Sequence, residues 1–185
     1  MIINNLLKDK KSVASIGRLL WDKDLVGGLN GNISVRVDDD SFLLTGRGTC
    51  LGFLQEEDVV LLGLDGTLIE GKEASNEKQL HFDIFRNFPE VKAIIHTHTT
   101  CTNAFFFNNN VFRPTTFEAE YVLGEVHAVD QTTMNVKDTA PVIARLRENR
   151  IVALRRHGVV SVGEELFECF LKIQTLEEQL RMEAF

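Results

Sequence analysis

Apolar residues recur along this chain with two periods, one typical of helices and the other typical of strands. Helical spacing predicts a first helix over about residues 10–25, a second with Ser75 as its N-cap, and a long amphipathic helix that starts near Leu166. Apolar runs predict strands over residues 33–37, 42–45, 59–64, 91–98, 151–154 and 159–162. Asp65 and Gly66, directly after the third strand, predict a hairpin turn.

The order of these elements decides between fold classes. Helices are interspersed among the strands without a strict strand–helix–strand alternation, which favours a mixed, mainly antiparallel sheet with helical cover over a doubly wound parallel sheet. The 185 residues contain no internal repeat and no Pro- or Ser-rich linker, and they suit one hydrophobic core. We therefore predict a single α/β domain over residues 1–185.

Composition and charge narrow the functional classes. The chain is 44% hydrophobic and 25% charged, an ordinary globular balance that argues against disorder. Its net charge of −7 predicts no general nucleic-acid or anionic-membrane surface, while leaving room for a local cationic pocket. Three scattered cysteines, no signal-peptide pattern and no apolar run near about 18 residues together predict a cytoplasmic protein without a membrane partner.

Three of the five histidines indicate a metal site. His96 and His98 lie two residues apart on a predicted strand, so their imidazoles project from the same face. His157 follows the end of another predicted strand and is the natural third ligand, and Glu77 is the natural carboxylate. Catalytic zinc typically takes three protein ligands and keeps one position open. The four residues therefore predict a catalytic first-row metal centre.

Four segments around these residues resemble motifs of the class II aldolase/adducin family. They are Gly31–Arg36, Ala74–Glu77, His96–His98 and Arg156–Gly158, and they occur in that order over most of the chain. The resemblance implies a three-layer α/β/α fold around a mainly antiparallel mixed sheet, and a homotetramer whose active sites lie between neighbouring subunits. It also implies Zn²⁺, or another divalent metal, as the cofactor.

The same resemblance implies roles for the metal-site residues. His96, His98 and His157 match the family's zinc ligands, and Glu77 matches a carboxylate that ligates the resting metal and acts as acid/base when substrate displaces it. Zinc at such a site stabilises the enediolate left by C–C cleavage, and an adjacent carboxylate is placed to move the proton. His81, four residues after Glu77, is expected to be satisfied within its helix rather than to bind metal.

A phosphate site is expected beside the metal. Ser75 and Asn76 lie at the predicted helix start, where free backbone N–H groups attract anions. Asn32 and Gly48 match the family's phosphate contacts, although Gly48 also suits a tight turn. Arg47 stands where the family commonly has a small hydroxyl residue, and it either binds the anion as a bidentate donor or points to solvent.

The middle of the chain departs from the aldolase pattern. Aldolases of the family use tyrosines from a mid-chain segment and from a C-terminal tail, whereas this chain has one tyrosine, Tyr121. We therefore predict that Glu118, Glu120 and Tyr121 complete the site of a neighbouring subunit. Ala-Glu-Tyr at this position is similar to Ala-Asp-Tyr of ribulose-5-phosphate 4-epimerase, and a glutamate in this region is similar to that of methylthioribulose-1-phosphate dehydratase.

The predicted reaction is zinc-dependent aldol cleavage of a small ketose 1-phosphate, of the fuculose 1-phosphate type, to dihydroxyacetone phosphate and an aldehyde. Dehydration of methylthioribulose 1-phosphate and 4-epimerisation of ribulose 5-phosphate stay open as alternatives, since the same motifs serve all three reactions. An adducin-like interaction module is the non-enzymatic alternative. Loss of the metal ligands marks such modules, and the presence of all four residues here favours an enzyme.

Overall fold

The protein is seen here in a computed structural model that describes residues 2–183. The helices are α1 (Ile2–Asp22), α2 (Lys78–Asn87), α3 (Thr100–Phe106), α4 (Phe117–Leu123), α5 (Ala140–Leu146) and α6 (Leu166–Glu183). The strands are β1 (Asn32–Arg36), β2 (Ser41–Thr45), β3 (Val59–Gly63), β4 (Leu68–Glu70), β5 (Ala93–Thr97), β6 (Val111–Phe112), β7 (Val126–Val129), β8 (Ile151–Leu154) and β9 (Gly158–Gly163). Short 3₁₀ turns occupy Leu51–Phe53 and Glu56–Asp58. Within residues 2–183, none of the helices has both the length and the apolar character needed to cross a membrane.

The strands form one mixed sheet in the order β4-β3-β2-β1-β5-β9-β8-β7-β6. Among the described strands, β7 and β8 make the one parallel pair, and all other neighbours are antiparallel. The register sets Asn32 opposite His96 and Thr97 opposite Val159. The predicted mixed, mainly antiparallel sheet is therefore confirmed, and the start of β1, the end of β5 and the start of β9 lie side by side.

Helices cover both faces of the sheet, and each face has its own apolar core. On one face, Ile33 and Ile95 pack with residues of α1, α3, α4 and α6. On the other face, Phe42 and Ile94 pack with residues of α2 and α5. Neighbours such as Ile94 and Ile95 enter opposite cores because side chains alternate along a strand. The predicted three-layer α/β/α architecture is confirmed.

The start of α2 differs from the prediction. Ser75 is not its N-cap, because the helix begins at Lys78 and Glu77 occupies the cap position. The backbone N–H of Ser75 donates to the Thr45 carbonyl oxygen at 3.2 Å, so this segment is still attached to the end of β2. The Ser75 hydroxyl accepts instead from the N–H of Glu77 at 3.3 Å. Because Ser75 stays attached to the sheet, the helix begins later than predicted and Glu77 takes the cap position.

The first helix also differs in its bounds. It was predicted over residues 10–25, whereas α1 covers Ile2–Asp22. Its start is earlier because Leu6 packs against the same apolar core as the rest of the helix. Its end is earlier because Asp24 takes a positive φ of 56°, a left-handed conformation that terminates the helical ladder. The predicted hairpin after β3 is present, with β4 as its second strand.

Candidate metal centre

The four predicted metal-binding residues come together at one end of the central strands. His96 lies in β5 and His98 directly follows that strand. His157 lies in the short connection between β8 and β9, and β9 pairs with β5. Glu77 reaches the same place from the start of α2. Strand pairing therefore joins residues that are far apart in the sequence.

Two glycines of the sequence motifs let the backbone pass close to β5. A Cβ atom on Gly158 would lie 2.1 Å from the Thr97 carbonyl oxygen, which is impossible without moving the strand. Gly31 has a φ of +84°, and a Cβ atom there would lie 2.8 Å from the His96 carbonyl oxygen. Both glycines thus keep their neighbours, Asn32 and His157, against the strand that carries the paired histidines.

The geometry of the cluster suits a tetrahedral first-row metal. The Nε2 atom of His96 lies 3.0 Å from Nε2 of His98 and 3.0 Å from Oε2 of Glu77. The Nε2 atom of His157 lies 3.3 Å from Oε1 of Glu77. All four ligand atoms fall within 4.8 Å of one another. Bonds of about 2.0–2.1 Å to a common ion place tetrahedral ligand atoms about 3.4 Å apart, so the four residues fit such an ion.

The outer nitrogens of the imidazoles give a second test of that fit. Nδ1 of His96 lies 3.0 Å from the Val159 carbonyl oxygen, which directs Nε2 into the cluster. Nδ1 of His157 is buried and finds no hydrogen-bond partner among the described residues. The outer hydrogen bond of His96 is therefore the one that a metal-binding imidazole typically makes, whereas the His157 ring is turned toward the cluster without such a bond.

Electrostatics favours the protonation states that bind a cation. Burial tends to raise the pKa of Glu77, but His96, His157 and the Asn32 amide outweigh burial and the pKa is lowered. Burial and the neighbouring His96 lower the pKa of His98 to about 3 and that of His157 to about 4. Burial opposes a charge on His96 too, yet the Glu77 carboxylate raises its pKa. The Glu77 carboxylate thus favours one positive charge within the cluster. A bound metal cation can supply that charge in place of a proton.

A chain of buried hydrogen bonds lies behind Glu77. Nδ2 of Asn32 donates to Oε2 of Glu77 at 3.0 Å, and Oδ1 of Asn32 lies 2.5 Å from Nε2 of His81. Nδ1 of His81 lies 2.6 Å from the Ser34 hydroxyl. On the other side of the carboxylate, the Val136 N–H donates to Oε1 of Glu77 at 3.5 Å.

Sequence reasoning missed two of these residues, Ser34 and Val136, and gave Asn32 a phosphate role alone. The sequence did contain part of the information needed to predict these contacts. Strand alternation puts Asn32 and Ser34 on one face of β1, and helical spacing puts His81 on the same side of α2 as Glu77. As expected, His81 is buried and is not among the metal-binding atoms, but its two hydrogen-bond partners lie on β1 and not within its own helix.

A cavity of about 230 Å³ opens next to the cluster. Its lining includes Glu77, His98 and His157 together with all four residues of the predicted phosphate site, Asn32, Gly48, Ser75 and Asn76. Arg47 also lines the cavity, but its guanidinium donates to the exposed Glu73 carboxylate at 2.8 Å. Gly48 has a φ of +72°, so the turn itself requires a glycine. Met134 and Asn135, from the loop before Val136, complete the rim.

The residues predicted to serve a neighbouring subunit lie elsewhere. Glu118, Glu120 and Tyr121 are on α4, and all three are exposed. Tyr121 keeps 93% of its surface accessible to solvent. None of the three lines the cavity beside the metal cluster. Within the chain, therefore, the structure does not bring them to Glu77.

Comparison with known proteins identifies the family. Residues 11–184 match the family model described as Class II Aldolase and Adducin N-terminal domain. The chain belongs to the class II aldolase and adducin family. Its similarity to an L-fuculose phosphate aldolase of Methanocaldococcus jannaschii is 36% identity over 174 residues, covering 94% of each chain. This family membership was predicted from the motifs and is confirmed.

Other members of the family differ in activity. A 3-oxo-tetronate 4-phosphate decarboxylase of Haemophilus influenzae is 30% identical over 188 residues, which cover 95% of this chain and 87% of the relative. The crystal structure of L-fuculose-1-phosphate aldolase from Thermus thermophilus superimposes with a TM-score of 0.87 at 29% identity, covering 97% of this chain and 93% of that one. The chain is thus similar over nearly its whole length to two kinds of lyase that act on phosphorylated substrates.

Proposed function

We propose that this protein is a metal-dependent class II aldolase that cleaves a small ketose 1-phosphate, of the fuculose 1-phosphate type, into dihydroxyacetone phosphate and an aldehyde. One observation carries the proposal: a carboxylate and three imidazoles converge within 4.8 Å, and Glu77, His98 and His157 of this cluster line a cavity of about 230 Å³ that the proposed phosphate-site residues also line. The similarity to L-fuculose phosphate aldolases supports the choice of substrate.

We assign the metal site to His96, His98 and His157, with Glu77 as the fourth ligand in the resting enzyme, and zinc as the metal. Three neutral imidazoles and one carboxylate are ligands that zinc accepts readily. When bound, a divalent cation supplies Lewis-acid stabilisation of the negative charge that develops on the ketose oxygens. The intact ligand set argues against an adducin-like interaction module.

Glu77 is proposed as the acid/base. In cleavage, the hydroxyl on the aldehyde-side carbon gives its proton to an acid/base group, which we propose comes from α4 of a neighbouring subunit; the C–C bonding pair passes to the enediolate, and the carbanionic carbon then takes a proton. Glu77 lies at the cavity wall and can hold or deliver that last proton. Its charge in the resting state follows from its lowered pKa, which burial opposes and the neighbouring histidines and Asn32 produce.

The phosphate is proposed to bind in the same cavity, beside the metal cluster. Ser75 and Asn76 precede the first turn of α2, where backbone N–H groups favour an anion, and Asn32 and Gly48 lie beside them. Anchoring the phosphate there fixes the distance from the substrate carbonyl to the metal cluster. Arg47 adds a cationic group at the rim once it leaves Glu73.

The assembly and location belong to the same proposal. We infer a homotetramer in which α4 of one subunit supplies Glu118, Glu120 and Tyr121 to the site of the next. The exposure of these polar side chains on α4 supports this view, as they have room to contact another copy. All three cysteines are free in the structure, which is compatible with a reducing cytoplasm.

Decarboxylation is the second candidate, and the similarity to 3-oxo-tetronate 4-phosphate decarboxylases favours it. Loss of CO₂ from a 3-oxo acid phosphate leaves its bonding pair on the same enediolate that aldol cleavage produces. Protonation of that enediolate gives dihydroxyacetone phosphate in both reactions. The two candidates therefore share the proposed roles of the metal, of Glu77 and of the phosphate site, and aldol cleavage additionally needs a base for the hydroxyl proton on the aldehyde-side carbon.

A product assay separates the candidates. Zinc-loaded protein is incubated with fuculose 1-phosphate, rhamnulose 1-phosphate, ribulose 5-phosphate, methylthioribulose 1-phosphate and 3-oxo-tetronate 4-phosphate. Dihydroxyacetone phosphate, aldehyde and CO₂ are measured in each. The aldolase proposal expects dihydroxyacetone phosphate and aldehyde in equal amounts from a ketose 1-phosphate. Epimerisation, loss of water, or CO₂ from the 3-oxo acid alone would contradict it.

A further inference from the structure

The hydrogen-bond chain behind Glu77 contains two residues to which the proposed reaction gives no role. Ser34 and His81 are fully buried, and neither lines the cavity, so neither can touch the substrate. Asn32 and Glu77, the other two members, are 3% and 6% exposed. A buried polar chain of this kind is costly unless every member is satisfied, so its order of donors and acceptors is informative.

His81 fixes that order because it carries a single N–H. Its ring is neutral, since burial lowers its pKa to about 3. With the proton on Nε2, the Ser34 hydroxyl donates to Nδ1 and the Nε2–H donates to Oδ1 of Asn32. With the proton on Nδ1, Nε2 would have to accept from the Asn32 amide nitrogen. The amide would then turn Oδ1 toward the Glu77 carboxylate, two acceptors about 3.0 Å apart. Only the first arrangement pairs every atom.

We propose that His81 is a positioning residue that locks the Asn32 amide with its N–H groups facing Glu77 and the cavity. The amide nitrogen then holds the Glu77 carboxylate in the cluster through one hydrogen atom. Its second hydrogen remains for an oxygen in the cavity, so the locked amide presents donors and no acceptor to an anionic substrate. This inference rests on the proposed metal site, because it treats Glu77 as a metal ligand.

Zinc affinity tests the inference without any knowledge of the substrate. The affinity is measured by competition with a chromophoric chelator at pH 7.5 for wild type, His81→Phe, His81→Gln, Asn32→Ala and the double variant Asn32→Ala/His81→Phe. Phenylalanine keeps a ring but removes both hydrogen bonds. Glutamine places an N–H at the position of Nε2 and is the conservative replacement. Ile84→Val, a buried change on the same helix, is the matched control.

The expected pattern is specific to a residue that acts through Asn32. His81→Phe and Asn32→Ala each weaken zinc binding by about 10–100-fold, the usual effect of losing a partner of a metal ligand. The double variant is no weaker than Asn32→Ala within about 3-fold, because residues in one network are not additive. His81→Gln stays within about 3-fold of wild type, and Ile84→Val keeps wild-type affinity.

Ser34→Ala extends the test to a variant that changes little volume. It removes the donor that selects the His81 tautomer, and about a 3–10-fold loss of zinc affinity is expected even if His81→Phe does not fold. Wild-type affinity in both Ser34→Ala and His81→Phe, or a double variant as weak as the product of its singles, overturns the inference alone. A wild-type protein that binds no zinc overturns the metal site and this inference together.

Discussion

The metal cluster and helix α4 differ most in what surrounds their polar side chains. In the cluster, Glu77 is 6% exposed and contacts His96, His157 and Asn32 at 3.0–3.3 Å. On α4, Tyr121 is 93% exposed. The cluster is assembled by the pairing of strands within one chain, whereas α4 presents its polar groups outward. The difference teaches that substitutions in the cluster must disturb a buried network, whereas substitutions of the exposed side chains on α4 should leave the stability of the subunit unchanged.

The largest effect is expected from His98→Ala. Removal of one of three imidazoles leaves an incomplete ligand set, so zinc affinity should fall by more than the roughly 10–100-fold that loss of an outer partner costs. Activity on the true substrate should be lost with the metal. Zinc content after dialysis and turnover measure the two effects. His127→Ala, which changes a histidine outside the cluster, is the control and should keep its zinc.

Glu77→Gln should separate chemistry from folding inside the cluster. Glutamine keeps the shape of the side chain but cannot carry the proton, so turnover should fall by about 10²–10⁴-fold while the fold is kept. Steady-state kinetics and thermal unfolding measure this change, with the exposed Glu57→Gln as the matched control. Wild-type turnover in Glu77→Gln would contradict a catalytic role and would show that Glu77 serves only as the cap residue of α2.

Variants on α4 test the other side of the comparison. Glu118→Gln, Glu120→Gln and Tyr121→Phe should each lower turnover by up to about 10²-fold, as expected for groups that assist proton transfer, with no change in melting temperature. Subunit exchange sharpens the experiment. When an α4 variant is mixed with Glu77→Gln, activity should increase. Some sites then combine an intact Glu77 from one subunit with an intact α4 from its neighbour. A fully active monomer would contradict the shared site.

The smallest expected effect is a pH dependence of stability that arises from the buried histidines of the cluster and of the hydrogen-bond chain behind it. Burial lowers the pKa of His81 to about 3, below its usual 6.5. Below pH 6.5 the unfolded chain takes up a proton that folded His81 refuses, so stability falls as the pH falls, by up to about 1.4 kcal/mol per pH unit. His98 and His157 act in the same direction, and His96, whose pKa is raised, acts against them.

Urea unfolding of the metal-free protein at pH 7.5 and pH 5.5 measures that slope. His81→Gln has no titrating group in this range and should show a flatter dependence. Tyr121→Phe, on the exposed helix, should keep the wild-type dependence. Equal slopes for wild type and His81→Gln would show that the buried imidazole takes up its proton in the folded state.

The sequence predicted those parts of the molecule that have a local signal. The strands that carry His96 and His157 are apolar runs, and the layered fold follows from the motifs. The short elements between α3 and α5 were not predicted, because a strand such as Val111–Phe112 is too short to show a period. Ser75 was wrongly predicted as the N-cap of α2 because its hydrogen bond to Thr45 depends on a strand far back in the sequence.

The hydrogen-bond chain of Asn32, Ser34 and His81 could be predicted only in part from the sequence, for a related reason. Alternation places Asn32 and Ser34 on one face of β1, but nothing local says what packs against that face. Helix α2 supplies His81 there only because its own apolar side joins Phe42 and Ile94 in one core. Polar partners of this kind are set by the tertiary packing of two elements, and one sequence cannot specify them.

The pairing of β5 with β9 has a consequence for how the proposed metal site would form. Thr97 pairs with Val159 across a long stretch of intervening chain, so the pairing closes a large loop. Contacts between residues so distant in sequence form slowly, since the chain must give up entropy before they are made. His96 and His98 can meet an ion early, but His157 joins them only after this closure. Tight binding of a metal ion during refolding should therefore follow this late step, and a partly folded chain that offers only His96 and His98 should bind the ion more weakly than the folded protein.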